Sequence, residues 1–239
     1  MKKRETFAIS ESSSLQGHHI LVASGPTRAP IDAVRYIGNR STGRLGTAIA
    51  VELLQHGAAV TFVFGTGSRT PDPTLPNITL DEIETIDQAE THILGHLQDK
   101  RIRTVVMTMA CLDYRPKEIA AQKISSEPQE RTITLVKCPK IIDRIKEVSP
   151  SVYLVGFKLQ AGVSEKSLFA DAEKLAERAR CDLVVANRSE DILGDQHRAW
   201  FISLGPCGRV VEGPYETPVA IAKALTARLV QAVERANAQ

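Results

Sequence analysis

The sequence predicts an α/β fold: a Rossmann-like, doubly wound, mostly parallel sheet with a small antiparallel β extension and a lid loop. Three observations carry this. Short apolar runs alternate with longer helical runs, the pattern of buried parallel strands joined by crossover helices. The stretch His19–Gly46, HILVASGPTRAPIDAVRYIGNRSTGRLG, reads as a strand, a glycine turn, a charged loop and a second glycine turn that opens a helix. Later, Ala199–Val211 alternates around Gly205-Pro206-Cys207-Gly208, as a hairpin does.

In chain order, residues 1–17 (MKKRETFAISESSSLQG) are polar and read as a loosely held tail. Residues 18–239 read as one domain. Strands are expected at His19–Ala23, Ala59–Phe64, Thr104–Met109, Tyr153–Phe157 and Leu183–Ala186, each a short apolar run. Helices are expected at Gly43–His56, Ile86–Gln98, Lys140–Val148, Glu165–Cys181 and Glu216–Ala236. Arg131–Lys137 alternates apolar and polar residues and, with the hairpin, suggests an antiparallel addition to the core. The segment 114–131 has no apolar periodicity and is rich in Lys, Glu, Gln, Ser and Pro. It follows a buried strand, so it lies at the C-terminal edge of the sheet, where α/β proteins bind ligands, and reads as a lid.

At 239 residues and 43% hydrophobic, the chain can bury a full core. A net charge of +2, with basic and acidic residues interleaved, argues against a nucleic-acid partner. No membrane-length apolar run or signal peptide is present. Cys111, Cys138, Cys181 and Cys207 lack CxxC or metal-ligand spacing, which points to a reduced, cytoplasmic protein and to no protein-held metal.

The glycine turns supply the chemistry. A strand feeding a glycine loop and a helix N-terminus presents backbone N–H groups and a positive dipole end to an anion. Between the turns stand Arg28, Arg35, Asn39, Arg40, Ser41 and Thr42, which suits an anionic small molecule. GxGxxG is absent, and the spacing from Gly38 to Gly43 continues as Arg44-Leu45 rather than the Lys-Ser/Thr of a P-loop. Other candidates stay open on the residues alone. Asp113-Tyr114-Arg115-Pro116 follows a strand and fits either a ligand contact or a turn ion pair. Lys123 fits a lid cation or a solvated lysine; Pro139–Ile142 fits an anion-binding helix start or plain helix initiation. Lys174 and Arg178 share a helix face, for a phosphate or for solvent, and Phe157 could stack on a base or sit in the core. Cys111 has no neighbouring histidine and reads as a structural thiol.

Six pieces in order, SGPTRAPIDAVRYIGNRSTGRLG, DYRP, QKISS, LVKCPKII, LVGFKL and DLVVAN, resemble phosphopantothenate–cysteine ligase (phosphopantothenoylcysteine synthetase). The match runs from about His19 to the C-terminus and resembles the stand-alone bacterial type. It is similar to the C-terminal half of a bifunctional coenzyme A biosynthesis flavoprotein, without the flavin-binding decarboxylase half, so no flavin is expected. The resemblance implies a ligase joining 4′-phosphopantothenate to L-cysteine through an acyl-nucleotide, with CTP or ATP as co-substrate and Mg²⁺ on the phosphates. It implies Asn39 and Lys123 as catalytic residues. Gly25, Asp113, Lys123, Pro139, Lys140, Ile141, Ile142, Phe157, Lys174 and Arg178 would bind nucleotide. Thr27, Arg28, Arg40, Ser41, Thr42 and Gly43 would bind substrate or phosphate. A homodimer, with the antiparallel extension as interface, and a separate phosphopantothenoylcysteine decarboxylase are the implied partners.

Departures from the family pattern are Cys111-Leu112, where small residues are usual, Lys140, where fused members carry Asp but the stand-alone type also shows Lys, and Arg178 in place of Lys. Two rival readings remain. A non-catalytic nucleotide-binding homologue predicts binding without turnover. A nicotinamide-dependent oxidoreductase predicts GxGxxG and an acidic end to the second strand, which instead reads Phe64-Gly65-Thr66-Gly67.

Overall fold

The computed structural model describes residues 14–237. Eight strands form one sheet: β1 (His19–Ser24), β4 (Ala59–Gly65), β5 (Ile78–Ile83), β6 (Ile102–Met107), β9 (Tyr153–Gln160), β10 (Leu183–Arg188), β11 (Ala199–Gly205) and β12 (Gly208–Tyr215). Their order is β12-β11-β10-β9-β6-β1-β4-β5. The run from β5 to β10 is parallel, and it is the Rossmann arrangement, with the order reversing at β1. The hairpin β11–β12 joins the core antiparallel to β10. The expected fold class holds.

Five helices cover the faces: α1 (Arg44–Gln55), α2 (Ile86–His96), α3 (Ile141–Val148), α4 (Glu165–Ala179) and α5 (Pro218–Asn237). All five were legible as periodic runs, because each buries one apolar stripe. One core cluster joins Ile49, Leu53, Phe62, Val155, Phe201, Ile221 and Leu225 beneath α1 and α5. The other joins Ile93, Val105, Ile141, Ile145, Leu154, Leu168 and Leu175 beneath α2, α3 and α4. A sheet buried on both faces has apolar strands without alternation, which is why those runs were readable.

The structure revises four boundaries. Strand β5 was not expected; its sequence ITLDEI carries two acids, and it survives as a half-exposed edge strand. The loop after β1 contains a second small sheet, β2 (Arg28–Pro30) against β3 (Tyr36–Gly38). The 114–131 lid is not wholly irregular: β7 (Tyr114–Pro116) pairs with β8 (Leu135–Lys137) as a separate hairpin, leaving a loop over 117–134. This pair stays off the main sheet, so only β11–β12 is an addition to the core. Of the expected tail, residues 1–13 lie outside the described residues. Leu15 is fully buried in the α1/α5 core and its N–H donates to the His56 carbonyl at 2.9 Å. Among the described residues no helix is long and apolar enough to cross a membrane.

Candidate active site

The reversal of strand order at β1 opens a crevice where the loops after β1, β4 and β6 meet, and here they are tied backbone to backbone. The Ala110 N–H donates to the Gly25 carbonyl at 2.8 Å, and the Thr27 N–H donates to the Ala110 carbonyl at 3.3 Å. The buried Thr27 hydroxyl accepts from the Leu112 N–H at 3.0 Å, and Thr108 Oγ1 donates to the Ala23 carbonyl at 2.8 Å. Glycine is required at two contacts. A Cβ on Gly65 would stand 1.8 Å from the Pro26 carbonyl oxygen, and one on Gly46 would stand 2.2 Å from Ser24 Oγ. The first lets β4 end against the β1 loop; the second lets α1 lie directly on β1.

Asn39 sits in this frame. Its Nδ2 donates to the Ala110 carbonyl at 3.0 Å and to the Cys111 carbonyl at 3.1 Å. Gly43 follows in the left-handed region, φ 74°, and opens α1 with no side-chain cap, so the first-turn N–H groups keep no side-chain acceptor among the described residues. Gly25, Thr27, Asn39 and Gly43 are thus brought together, and the exposed Thr42 is pinned by its carbonyl, which accepts from the Arg69 N–H at 3.0 Å. Arg40 is exposed beside them with no ion pair among the described residues. Arg28 turns the other way: it lies 4.4 Å over the Tyr36 ring and 3.7 Å from Glu84, towards the β5 edge.

A second group gathers at the start of α3. Lys140, the N-cap residue, forms an ion pair with the exposed Asp113, whose carbonyl also accepts from the Cys138 N–H at 2.9 Å. Asp143 in the first turn accepts from Arg178 Nε at 3.0 Å. Pro139, Lys140, Ile141 and Ile142 therefore stand between Asp113 and Arg178. Ile141 is buried and Ile142 is half-buried, packing near Gly156 in β9. Lys174 pairs with Asp171 at 3.1 Å, and Asp171 accepts from Gln160 Nε2 at the end of β9 at 2.6 Å. Phe157 does not join Lys174 and Arg178. Strand alternation turns it to the α1/α5 face, whereas α4 lies on the other.

The lid meets the β2–β3 arm. The exposed Lys123 precedes Ile124, whose N–H donates to Asp32 Oδ2 at 3.1 Å and whose carbonyl accepts from Arg35 Nη1 at 3.2 Å. The Ala120 N–H donates to the Ile31 carbonyl at 3.1 Å. Asp32 is buried, and its carboxyl is held down at about 2, first by the Val34 N–H and further by Ile124, Arg35 and the Arg35 charge. Nothing in the sequence marked Asp32, because an aspartate in a polar loop reads as an ordinary turn former.

A buried polar pair was also missed. Asn187 at the end of β10 donates through Nδ2 to His197 Nε2 at 3.1 Å. Burial, and then the Arg44 charge, lower the His197 imidazole to about 4, so it is neutral and accepts this bond. Arg44, the first residue of α1, binds the Gly194 carbonyl and stands 3.4 Å from Asp195. Burial lifts the Cys111 thiol to about 12, in keeping with the structural reading of that residue. Among the described residues no group of three or more His, Cys, Asp or Glu side chains is placed to hold a metal ion.

A family model described as the DNA/pantothenate metabolism flavoprotein C-terminal domain matches residues 15–232. The chain belongs to this family. Among its relatives is the coenzyme A biosynthesis bifunctional protein CoaBC of Thermococcus kodakarensis, 44% identical over 73% of this chain and 42% of the relative. The chain thus spans well under half the length of that protein. The DNA/pantothenate metabolism flavoprotein from Streptococcus pneumoniae has the same fold, with TM-score 0.80 and 32% identity over 90% of this chain and 99% of that one. The C-terminal domain of a CoaBC protein follows with TM-score 0.74 and 25% identity over 94% and 100%. The resemblance read from six ordered motifs is therefore borne out at the level of family and fold.

Proposed function

We propose that the protein is a phosphopantothenate–cysteine ligase of coenzyme A biosynthesis, using CTP, with ATP as the alternative. The observation that carries this is the seating of Asn39 on the Ala110 and Cys111 carbonyls beside the uncapped start of α1. A phosphate-bearing carboxylate placed there meets backbone N–H groups, the amide of Asn39 and the exposed Arg40. The family match and the names of the relatives support the same reading.

In the proposed reaction the phosphopantothenate carboxylate attacks the α-phosphorus of the nucleotide and pyrophosphate leaves. The amine of cysteine then attacks the acyl carbon; the amide forms, and the nucleoside monophosphate departs with the former carboxylate oxygen. Both steps bring anions together, so fixed donors are the main requirement. Asn39 would turn one N–H from a loop carbonyl to the acyl oxygen. Lys123 would close with the lid onto the phosphates as a point charge and help exclude water from the acyl-nucleotide. The α3 start would cradle the triphosphate between Asp113 and Arg178, with Lys174 farther along α4. Gly25, Thr27, Arg40, Ser41, Thr42 and Gly43 would line the substrate side, and Arg28 would join them only by swinging off Tyr36 and Glu84. Since the carboxylates here are engaged by Lys140 and Arg178, Mg²⁺ would be carried by the phosphates. Phe157 would serve by shaping the strand end from the far face. A homodimer through β11–β12 belongs to the same reading, since β12 leaves Val210 and Val211 exposed at the sheet edge.

Pyrophosphate release and formation of phosphopantothenoylcysteine, with CTP or ATP and with or without cysteine, test the proposal. Cysteine-dependent product, reduced in Asn39→Ala and Lys123→Ala, is expected. Nucleotide binding with no pyrophosphate from either nucleotide would replace it with a non-catalytic homologue.

A further inference from the structure

We propose that Asp32 is a positioning residue that latches the lid to the β2–β3 arm and so sets Lys123 over the site. The inference rests on the reading of Lys123 as the lid cation. The geometry divides Asp32 into two halves. Its Oδ1 accepts from the Val34 and Arg35 N–H groups, both at 2.8 Å, and these bonds close the arm's own turn. Its Oδ2 accepts from Arg35 Nη1 at 2.8 Å and from the Ile124 N–H of the lid at 3.1 Å. The side chain is buried, so both oxygens act away from water, where an unmatched polar group is costly.

Arg35 completes the latch. One guanidinium nitrogen reaches both the Asp32 carboxylate and the Ile124 carbonyl, so the lid peptide around 124 is gripped at its N–H and at its C=O. A second tie joins Ala120 to Ile31. Lys123 lies between the two ties, so its backbone is fixed relative to the arm while its exposed side chain stays free to move. The arm in turn runs through β3 into Asn39. The two residues assigned to the chemistry are therefore placed by one loop, and the latch sets the distance between them.

The plainer alternative is that Asp32 only shapes its turn. Asp32→Asn separates the two. An asparagine keeps one acceptor oxygen for the turn but presents an NH₂ to the Ile124 N–H and to Arg35, donor against donor. Hydrogen exchange on the full chain reads the parts separately. The latch predicts that the Ala120 and Ile124 amides of Asp32→Asn exchange about tenfold faster or more, while those of Val34 and Arg35 stay within about twofold of wild type. It also predicts an about tenfold loss of turnover through misplacement of Lys123. That loss should vanish when Asp32→Asn is added to Lys123→Ala, because a residue acting through Lys123 has nothing left to position.

Faster exchange in the arm with an unchanged lid would reduce Asp32 to a turn former and overturn the latch. A loosened lid with wild-type turnover, or full additivity with Lys123→Ala, would overturn the positioning role. If the wild-type protein makes no product, the ligase reading and the role of Lys123 fail together, while the exchange contrast still decides whether Asp32 ties lid to arm.

Discussion

Where the loop after β1 meets the ends of β4 and β6, backbone binds backbone and two glycines remove the side chains that would intervene. Where the same loop meets the lid, a single backbone bond from the Ala120 N–H to the Ile31 carbonyl stands beside a contact that passes through one carboxylate and one guanidinium. The first kind of contact has almost no tolerance for a change of residue, because a carbonyl cannot move without its strand. The second has one backbone bond to release and otherwise opens and closes by rotating side chains. A site that must seat an activated acid and then admit a second substrate suits a fixed wall and a movable one, and the lid supplies the latter.

The fixed wall should break first. Gly65→Ala places a methyl group 1.8 Å from the Pro26 oxygen, so β4 or the β1 loop must shift. A loss of about 3 kcal/mol or more is expected, read by urea unfolding, with Gly46→Ala close behind. Wild-type stability in Gly65→Ala would mean that the loops do not meet as described.

Next comes the movable wall. Lys123→Ala should leave stability within about 0.5 kcal/mol of wild type, since the side chain is exposed and forms no ion pair among the described residues. Turnover should nevertheless fall about 100-fold, the scale for one donor to developing charge. A large drop in stability with little loss of turnover would invert the comparison.

Acid separates the latch from a buried histidine that lies outside both walls. His197 titrates at about 4 in the fold against an ordinary 6.5, so the unfolded chain binds more protons between these values. Its contribution is fully present above about 6.5 and is lost as pH falls towards about 4, amounting to about 3 kcal/mol at most. His197→Gln should flatten that part of the stability–pH curve. Asp32 has the opposite charge but the same direction of shift, from 3.8 to about 2. The latch therefore holds above about 4 and opens only as pH falls through about 2, so between pH 5 and 8 the lid amides should show no acid-linked loosening beyond their intrinsic exchange rates. This is the smallest effect of the set, and lid loosening near pH 6 would point to a group other than Asp32.

Much of this was legible in the chain. The central strands are buried on both faces and so appear as bare apolar runs, and the helices show their stripes. The edge strand β5 was not legible, because half exposure admits Asp81 and Glu82. Nor were β2, β3 and β7, three-residue strands too short to show a period, which pair locally as β2 with β3 and β7 with β8. Of the site, the glycine turns and Asn39 could be marked from spacing and resemblance. Their mutual ties could not, since they run through the backbone carbonyls of residues 110 and 111. Phe157 shows the limit most plainly: its motif placed it with Lys174 and Arg178, but alternation along β9 turns it to the opposite face.

The most direct test of the account is to quench the protein shortly after mixing it with phosphopantothenate and CTP in the absence of cysteine, and to look for the acyl-nucleotide by mass spectrometry. The account predicts phosphopantothenoyl-CMP, or its AMP counterpart if ATP is the nucleotide used, in amounts near one per active site, and its conversion to phosphopantothenoylcysteine when cysteine is added. Bound nucleotide recovered intact, with no acyl-nucleotide from either triphosphate, would contradict it.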